Sequence, residues 1–161
     1  MTPQQRLIND LKRTQWIIEQ QTKDLTHQES LLQLPFPGNC MNWILGHVAL
    51  HRDKMLATLN LDPSWSPEDA ARYGRGSDPI TAGDVTAIPL PDLITNLQQS
   101  LTTLTEALGH RTTDQLTTIY DADNDFTVAD RLSFLIWHET YHIGQLELLR
   151  QLAGKNDAVI T

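Results

Sequence analysis

Apolar residues recur with the period of a helix in four long stretches of this chain. In the first, from about Pro3 to Leu25, Leu7, Leu11, Ile18 and Leu25 form a seam at spacings of four and seven. Thr2 is a natural N-cap there, and Pro3 falls in the first turn, where its missing N–H costs nothing. The run "LPFPGN" ends any helical continuation, because prolines and glycine break it. The second stretch runs from about Asn39, a candidate cap, to Leu61. It is apolar on more than one side through Trp43, Ile44, Leu45, Val48, Leu50 and Met55, a pattern that predicts deep burial. The third, from about Pro91 to Leu108, carries Leu93, Leu97, Leu101, Leu104 and Leu108, with Gly109 closing it. The fourth runs from about Val128 to Ala153, with Thr127 as cap, Asp130 reaching back to it and Gly154 as the stop.

The connectors decide how these helices are joined. The segment from Asp62 to about Pro89 is long and irregular, with one short helix predicted at "SPEDAARY" and a loop at "YGRGSDP". Connectors of this length are often functional; the plainer reading is a crossover. It can traverse a helix of roughly 30 Å, so the second and third helices are free to run parallel. Between the third and fourth lies "TTDQLTTIYDADNDF", turn-rich, with a short strand-like run at Leu116–Tyr120. The tail "KNDAVIT" reads as frayed. The expectation is an all-α chain, one domain over residues 1–161, folded as a four-helix bundle with a long crossover between helices two and three.

Charge narrows the choice of partners. Against 20 acidic residues there are only 12 Lys and Arg, giving a net charge of −8 with no basic run. Such a body is a poor partner for nucleic acid or anionic lipid and is suited to small-molecule chemistry. Cys40 is the single cysteine, so no internal disulfide is possible and a reducing compartment fits. A polar N-terminus without an apolar core, and the lack of a spanning apolar run, add up to an expected cytoplasmic location.

The candidate chemistry lies in the histidines. "HETYH" places His138 and His142 one helical turn apart, about 40° around the wheel and within the leucine seam marked by Leu135 and Leu149. Imidazoles on a buried seam need partners, since an unpaired buried polar group costs about 1–3 kcal/mol. One ion can satisfy both at this spacing. A third ligand has to come from another helix, and His47 in "NWILGHVAL" is again a histidine on a buried stretch. His51, one turn on, is a possible fourth ligand or a neighbour. His27 and His110 have polar surroundings near helix ends and read as surface residues.

The H-E-x-x-H letters are shared with zinc peptidases, but the rest of that signature is absent. Gly144 stands one place early, Leu148 occupies the position of the third histidine, and after His142 the acids are Glu147, on the same helix, and Asp157. Instead, "NWILGHVALHRD", "YGRGS" and "HETYHIGQLELL", in this order and spacing, resemble the DinB-like (DinB/YfiT) superfamily over nearly the whole chain. The resemblance implies a four-helix bundle, often dimeric, with a divalent ion, zinc or nickel, held by His47, His138 and His142. It also implies activities of the kind known there: S-transferases and an isomerase using low-molecular-weight thiols such as bacillithiol or mycothiol.

Three neutral imidazoles leave an ion its full charge and at least one open position, the form of a catalytic site. Such an ion lowers the pKa of a bound water to about 7 and deprotonates a bound thiol. Thiol transfer is the first expectation and hydrolysis the alternative; a non-enzymatic metal-binding or stress-response module is the third. Glu139 can serve as general base or can orient a ligand from behind. Gln145 shares the histidine seam, either beside the metal or satisfying backbone. Arg72, Tyr73 and Arg75 are candidates for meeting an anionic cosubstrate, and Arg131, two turns before His138, for binding a carboxylate or pairing with Asp130 or Asp125. Cys40, Trp43 and Tyr141 read as packing.

Overall fold

In the computed structural model, which describes residues 1–155 and 157, four long helices dominate: α1 (Pro3–Thr22), α3 (Met41–Thr58), α5 (Leu90–Gly109) and α7 (Val128–Ile143). Short helices α2 (His27–Ser30), α4 (Pro67–Arg72), α6 (Thr113–Leu116) and α8 (Leu146–Leu152) lie in the connectors and at the end. A small antiparallel ladder, β1 (Ile119–Asp121) with β2 (Phe126–Thr127), leads into α7. The caps explain the starts. Thr2, Ser66 and Thr127 each accept a backbone N–H in the first turn, and Thr127 with Asp130 forms the expected capping box. The first residue before α3 is Cys40, without a side-chain cap bond, rather than Asn39.

Each long helix packs on two others: α3 and α1 both contact α5 and α7. Asn42 reaches the carbonyl of Ile88 and Arg52 that of Leu97, so α3 and α5 run parallel, and the connector between them is the crossover the sequence predicts. Gln4 meets Arg111 at the far end of α5, and along α3 His47 lies beside His142 while His51 lies beside His138, so α1 and α7 run the other way.

Three helix ends differ from the expectation. The second helix stops at Thr58 rather than Leu61, and Asn60 just beyond it takes a left-handed backbone (φ 59°). The first helix stops at Thr22 rather than Leu25, because Asp24 takes a left-handed backbone (φ 59°) and Thr26 with Glu29 caps a separate short helix. The fourth breaks at Gly144–Gln145 instead of continuing to Ala153. There the Gln145 N–H bonds to His142 one residue early, a local tightening that poor helix-forming Gly144 permits. Of the expected frayed tail, only Lys155 and Asp157 lie among the described residues after Gly154.

The core divides into two apolar clusters, and a polar layer separates them. One contains Ile18, Trp43, Ala49, Leu97 and Ile143; the other Leu11, Met55, Leu101 and Ile136. Between them, on every long helix, the layer is occupied by Gln15, Arg52, Glu139 and the carbonyl of Leu97. Arg52 is fully buried and donates to Glu139 twice (2.6 and 3.1 Å), to Gln15 Oε1 (2.7 Å) and to the Leu97 carbonyl (2.6 Å), so one guanidinium ties all four helices. No helix among the described residues is long and apolar enough to cross a membrane.

Candidate metal centre

His47 and His51 stand one turn apart on α3, and His138 and His142 one turn apart on α7. The antiparallel packing of these helices brings all four imidazoles together. Ring centroids are 4.0 Å apart for His51–His138, 4.8 Å for His47–His142 and 5.3 Å for His47–His138. Donor atoms of His47, His51 and His138 all lie within 4.8 Å of one another, a group that can hold a metal ion. His142 Nε2 lies 3.2 Å from His138 Nε2.

The surrounding hydrogen bonds fix which nitrogen faces inward. His47 Nδ1 donates to the Tyr73 carbonyl (2.7 Å) and His51 Nδ1 to the His47 carbonyl (2.9 Å). A carbonyl only accepts, so the proton is on Nδ1 and Nε2 carries the lone pair, which in His51 lies 3.2 Å from Lys54 Nζ. His142 Nδ1 is held by Gln145 Oε1 at 3.2 Å, which settles on the imidazole ring the role left open for Gln145. His138 Nδ1 is buried with no partner.

The "YGRGS" loop has a structural part in this. Tyr73 is fully buried beneath α3, and its hydroxyl donates to Asn42 Oδ1 (2.9 Å) and accepts the Ile88 N–H (2.8 Å). Burial pushes its phenol up to about 12, so it stays a donor. The ring packs where a side chain at position 46 would be; a Cβ on Gly46 would lie 2.1 Å from Tyr73 Cδ1. Gly46 therefore admits the tyrosine whose carbonyl orients His47. Trp43 stacks on His47 (4.5 Å, 14° between planes) and donates to Ser77 Oγ at 2.9 Å, walling one side of the centre.

All four imidazoles are held below their ordinary pKa, chiefly by burial: His51 to about 3, His138 to about 4, and His47 and His142 in the same direction. At neutral pH they are uncharged donors, as a metal requires. Two lone pairs facing each other at 3.2 Å repel unless a proton or a cation lies between them. Nitrogens around a tetrahedral ion, each at about 2.0–2.1 Å from it, are roughly 3.3 Å apart, so the His138–His142 spacing fits. The neutral nitrogen donor set suits zinc or nickel.

Other candidates fall outside this cluster. Glu139 is wholly buried, and both its oxygens are taken by Arg52. This arrangement favours orienting over base catalysis. Arg72 is spent on its own connector, binding Thr86, Asp84 and the carbonyls of Asp78 and Pro79, so of the connector residues considered for a cosubstrate Arg72 and Tyr73 hold structure instead. Cys40 is buried, with its thiol pushed up by burial. His27 is half-buried and accepts the Leu90 N–H at the start of α5 (3.2 Å); His110 is the exposed C-cap of that helix. Tyr141 is 61% exposed and does not pack in the core. Arg52 was not among the candidates. The signal available was a charge on a helix apolar all round, a position that only a buried partner can make stable.

Comparison with known proteins agrees with this architecture. Residues 10–146 match the sequence profile of the DinB superfamily. A conserved protein from Enterococcus faecalis, known from a crystal structure, superposes with a TM-score of 0.73 over 95% of this chain and 98% of its own, at 21% identity. At that identity the likeness speaks for the fold. No curated protein matches the chain.

Proposed function

The chain belongs to the DinB superfamily, and on that premise we propose that it is a divalent-metal-dependent enzyme that activates a small nucleophile. The ion, zinc or nickel, is held by His47, His138 and His142. The reaction is transfer of a low-molecular-weight thiol, of the bacillithiol or mycothiol type, to a small electrophile. The observation that carries the reading is the 3.2 Å contact between the inward Nε2 atoms of His138 and His142, with His47 beside them and every ring neutralised by burial.

Two triplets share the His47–His138 edge, and His51 is the alternative third member. Its Nε2 already faces Lys54 Nζ at 3.2 Å, so its lone pair accepts from an ammonium. That contact supports His142 as the ligand and His51 as a neighbour. When bound, the ion supplies the positive charge that makes a thiol at its open position a thiolate at neutral pH. The chain's own residues do the rest. Tyr73 and Gln145 hold His47 and His142 in the donor tautomer, Trp43 excludes water from one side, and the Arg52–Glu139 pair fixes α3 against α7. The lone cysteine is buried, which supports an external thiol over a covalent enzyme intermediate. A homodimer is part of the proposal, supported by Trp16, Trp137, Tyr141 and Leu148, large apolar side chains left exposed along α1, α7 and α8.

The test is metal analysis of purified protein followed by a thiol-consumption assay with a reactive alkyl halide. About one ion per chain is expected, lost in His47→Ala and His142→Ala and retained in His51→Ala. Thiol consumption should require the metal. Full metal content in both His47→Ala and His142→Ala sinks the ligand assignment. Metal-dependent halide loss without thiol would make the enzyme a hydrolase.

A further inference from the structure

Beyond the imidazoles, the α3–α7 seam continues into two cations. On α3 the row His47, His51, Lys54 follows spacings of four and three; on α7 Arg131 precedes His138 by two turns. The Lys54 ammonium lies 3.2 Å from His51 Nε2, and its pKa is lowered first by burial and then by the charge of Arg131. Among the described residues neither has a carboxylate partner. Asp130, the acid next to Arg131, is committed to the Thr127 cap. Arg131 Nε is buried with nothing to donate to, while its guanidinium lies over the rings of Tyr120 (5.8 Å) and Phe134 (6.0 Å).

Arg131 borders a hollow of about 430 Å³ whose other lining residues are Tyr120, Asp121, Asn124, Phe126 and Phe134. Tyr120 and Phe134 are both about half exposed, so its apolar wall is open to a ligand. Asp121, the acid in this wall, accepts from the Asp123 N–H and the Asn124 side chain and is turned to its own loop. Two adjacent cations without acidic partners, in a chain of net charge −8, leave a local charge that an incoming anion would balance.

We propose that Lys54 and Arg131 form a carboxylate-binding subsite, so that the electrophilic substrate is an organic acid whose apolar body lies on Tyr120 and Phe134 and whose reactive end points along the seam to the histidines. This rests on the metal-centre reading for the identity of the site and adds the class of substrate. An arginine fork and a lysine point charge suit a carboxylate, and aromatic faces suit a flat or hydrocarbon body.

The probe is benzoate, with benzamide as the uncharged control of the same shape. It is titrated by amide NMR into metal-loaded and chelator-stripped protein and into the Lys54→Gln and Arg131→Gln variants. Both positions reach solvent, so the variants are expected to fold, which circular dichroism checks. Expected are saturable benzoate binding with shifts centred on Lys54 and Arg131, about tenfold weaker in each variant, a change equal to about 1.4 kcal/mol. Benzamide binding should be at least as weak as that of the variants, and metal content unchanged in both. Benzoate affinity equal in wild type and both variants would overturn the subsite, including the case in which benzoate binds through the metal alone. Equal binding of benzamide, or no saturable binding of benzoate, would do the same. Failure of the metal reading registers separately, as wild-type protein without metal, while the dependence of benzoate on Lys54 and Arg131 is still read in the stripped sample.

Discussion

Replacing Glu139 by glutamine separates a positioning carboxylate from a catalytic base. In the wild type the Arg52 charge is wholly buried and its counter-charge is Glu139, bound through two nitrogens at 2.6 and 3.1 Å. Glu139→Gln keeps the shape and one acceptor but leaves the guanidinium without a negative partner. Breaking a buried pair this way costs about 3–5 kcal/mol, a large part of the roughly 5–15 kcal/mol that holds a domain together. With a urea m value near 2 kcal/mol/M, the midpoint falls by about 2 M. Arg52→Met is expected to lose at least as much, because it strands Glu139 and also removes the donor to Gln15 and Leu97. The double variant should lose much less than the sum, since the two changes act on one interaction. Urea denaturation followed by circular dichroism on the four proteins gives the coupling, with metal content measured on each below its midpoint. A Glu139→Gln protein with an unchanged midpoint and full metal, but no activity, would refute this reasoning and restore Glu139 as the base.

Gly46→Ala puts a methyl group into the Tyr73 ring, 2.1 Å from Cδ1. The ring must move, at a cost of about 1–3 kcal/mol. Because the Tyr73 carbonyl anchors His47, metal affinity should fall too; a thermal melt with unchanged metal affinity would contradict the link. Gln145→Ala removes the acceptor for His142 Nδ1 and is expected to weaken metal binding about 10–100-fold, as read by competition with a chromophoric chelator. The pH dependence follows from the depressed imidazoles. In the unfolded chain they take protons near pH 6.5, in the folded chain His138 near 4 and His51 near 3. Their contribution to stability is therefore complete above about pH 6.5 and is lost progressively as pH falls toward the folded values. Urea midpoints of metal-free protein should drop between pH 7 and 4.5, and the drop should shrink in His51→Asn; an imidazole NMR signal of His51 titrating at its ordinary pKa would show the burial argument to be wrong.

Helical periodicity reports what each segment buries against and says little about what it carries at its centre. The leucines of α5 and the seam of α1 marked their elements, and the length of the crossover allowed the parallel α3–α5 pair, because hydrophobic spacing and chain reach are local quantities. His47, His138 and His142 were legible for a related reason: each interrupts an apolar seam, and a polar group there demands a partner. The same logic applied to Arg52 would have demanded a carboxylate, and Glu139 was already in view, one residue from His138. What hid the pair is that "HRD" reads as a polar patch, a last wet face on a stretch otherwise read as deeply buried. In fact α3 has almost none: Arg52 and Asp53 are buried along with the histidines that precede them. Gly144 misled for the opposite reason. Its break spans two residues, too short to disturb the leucine period, yet it lets Gln145 turn back on His142. The candidate metal centre and the polar layer thus alternate along α7, His138 and His142 facing the seam with α3 and Glu139 the interior. One five-residue motif supplies both the candidate ligands and the carboxylate that locks the helix bearing them against its partner, so a substitution at Glu139 is expected to act on the site through the fold.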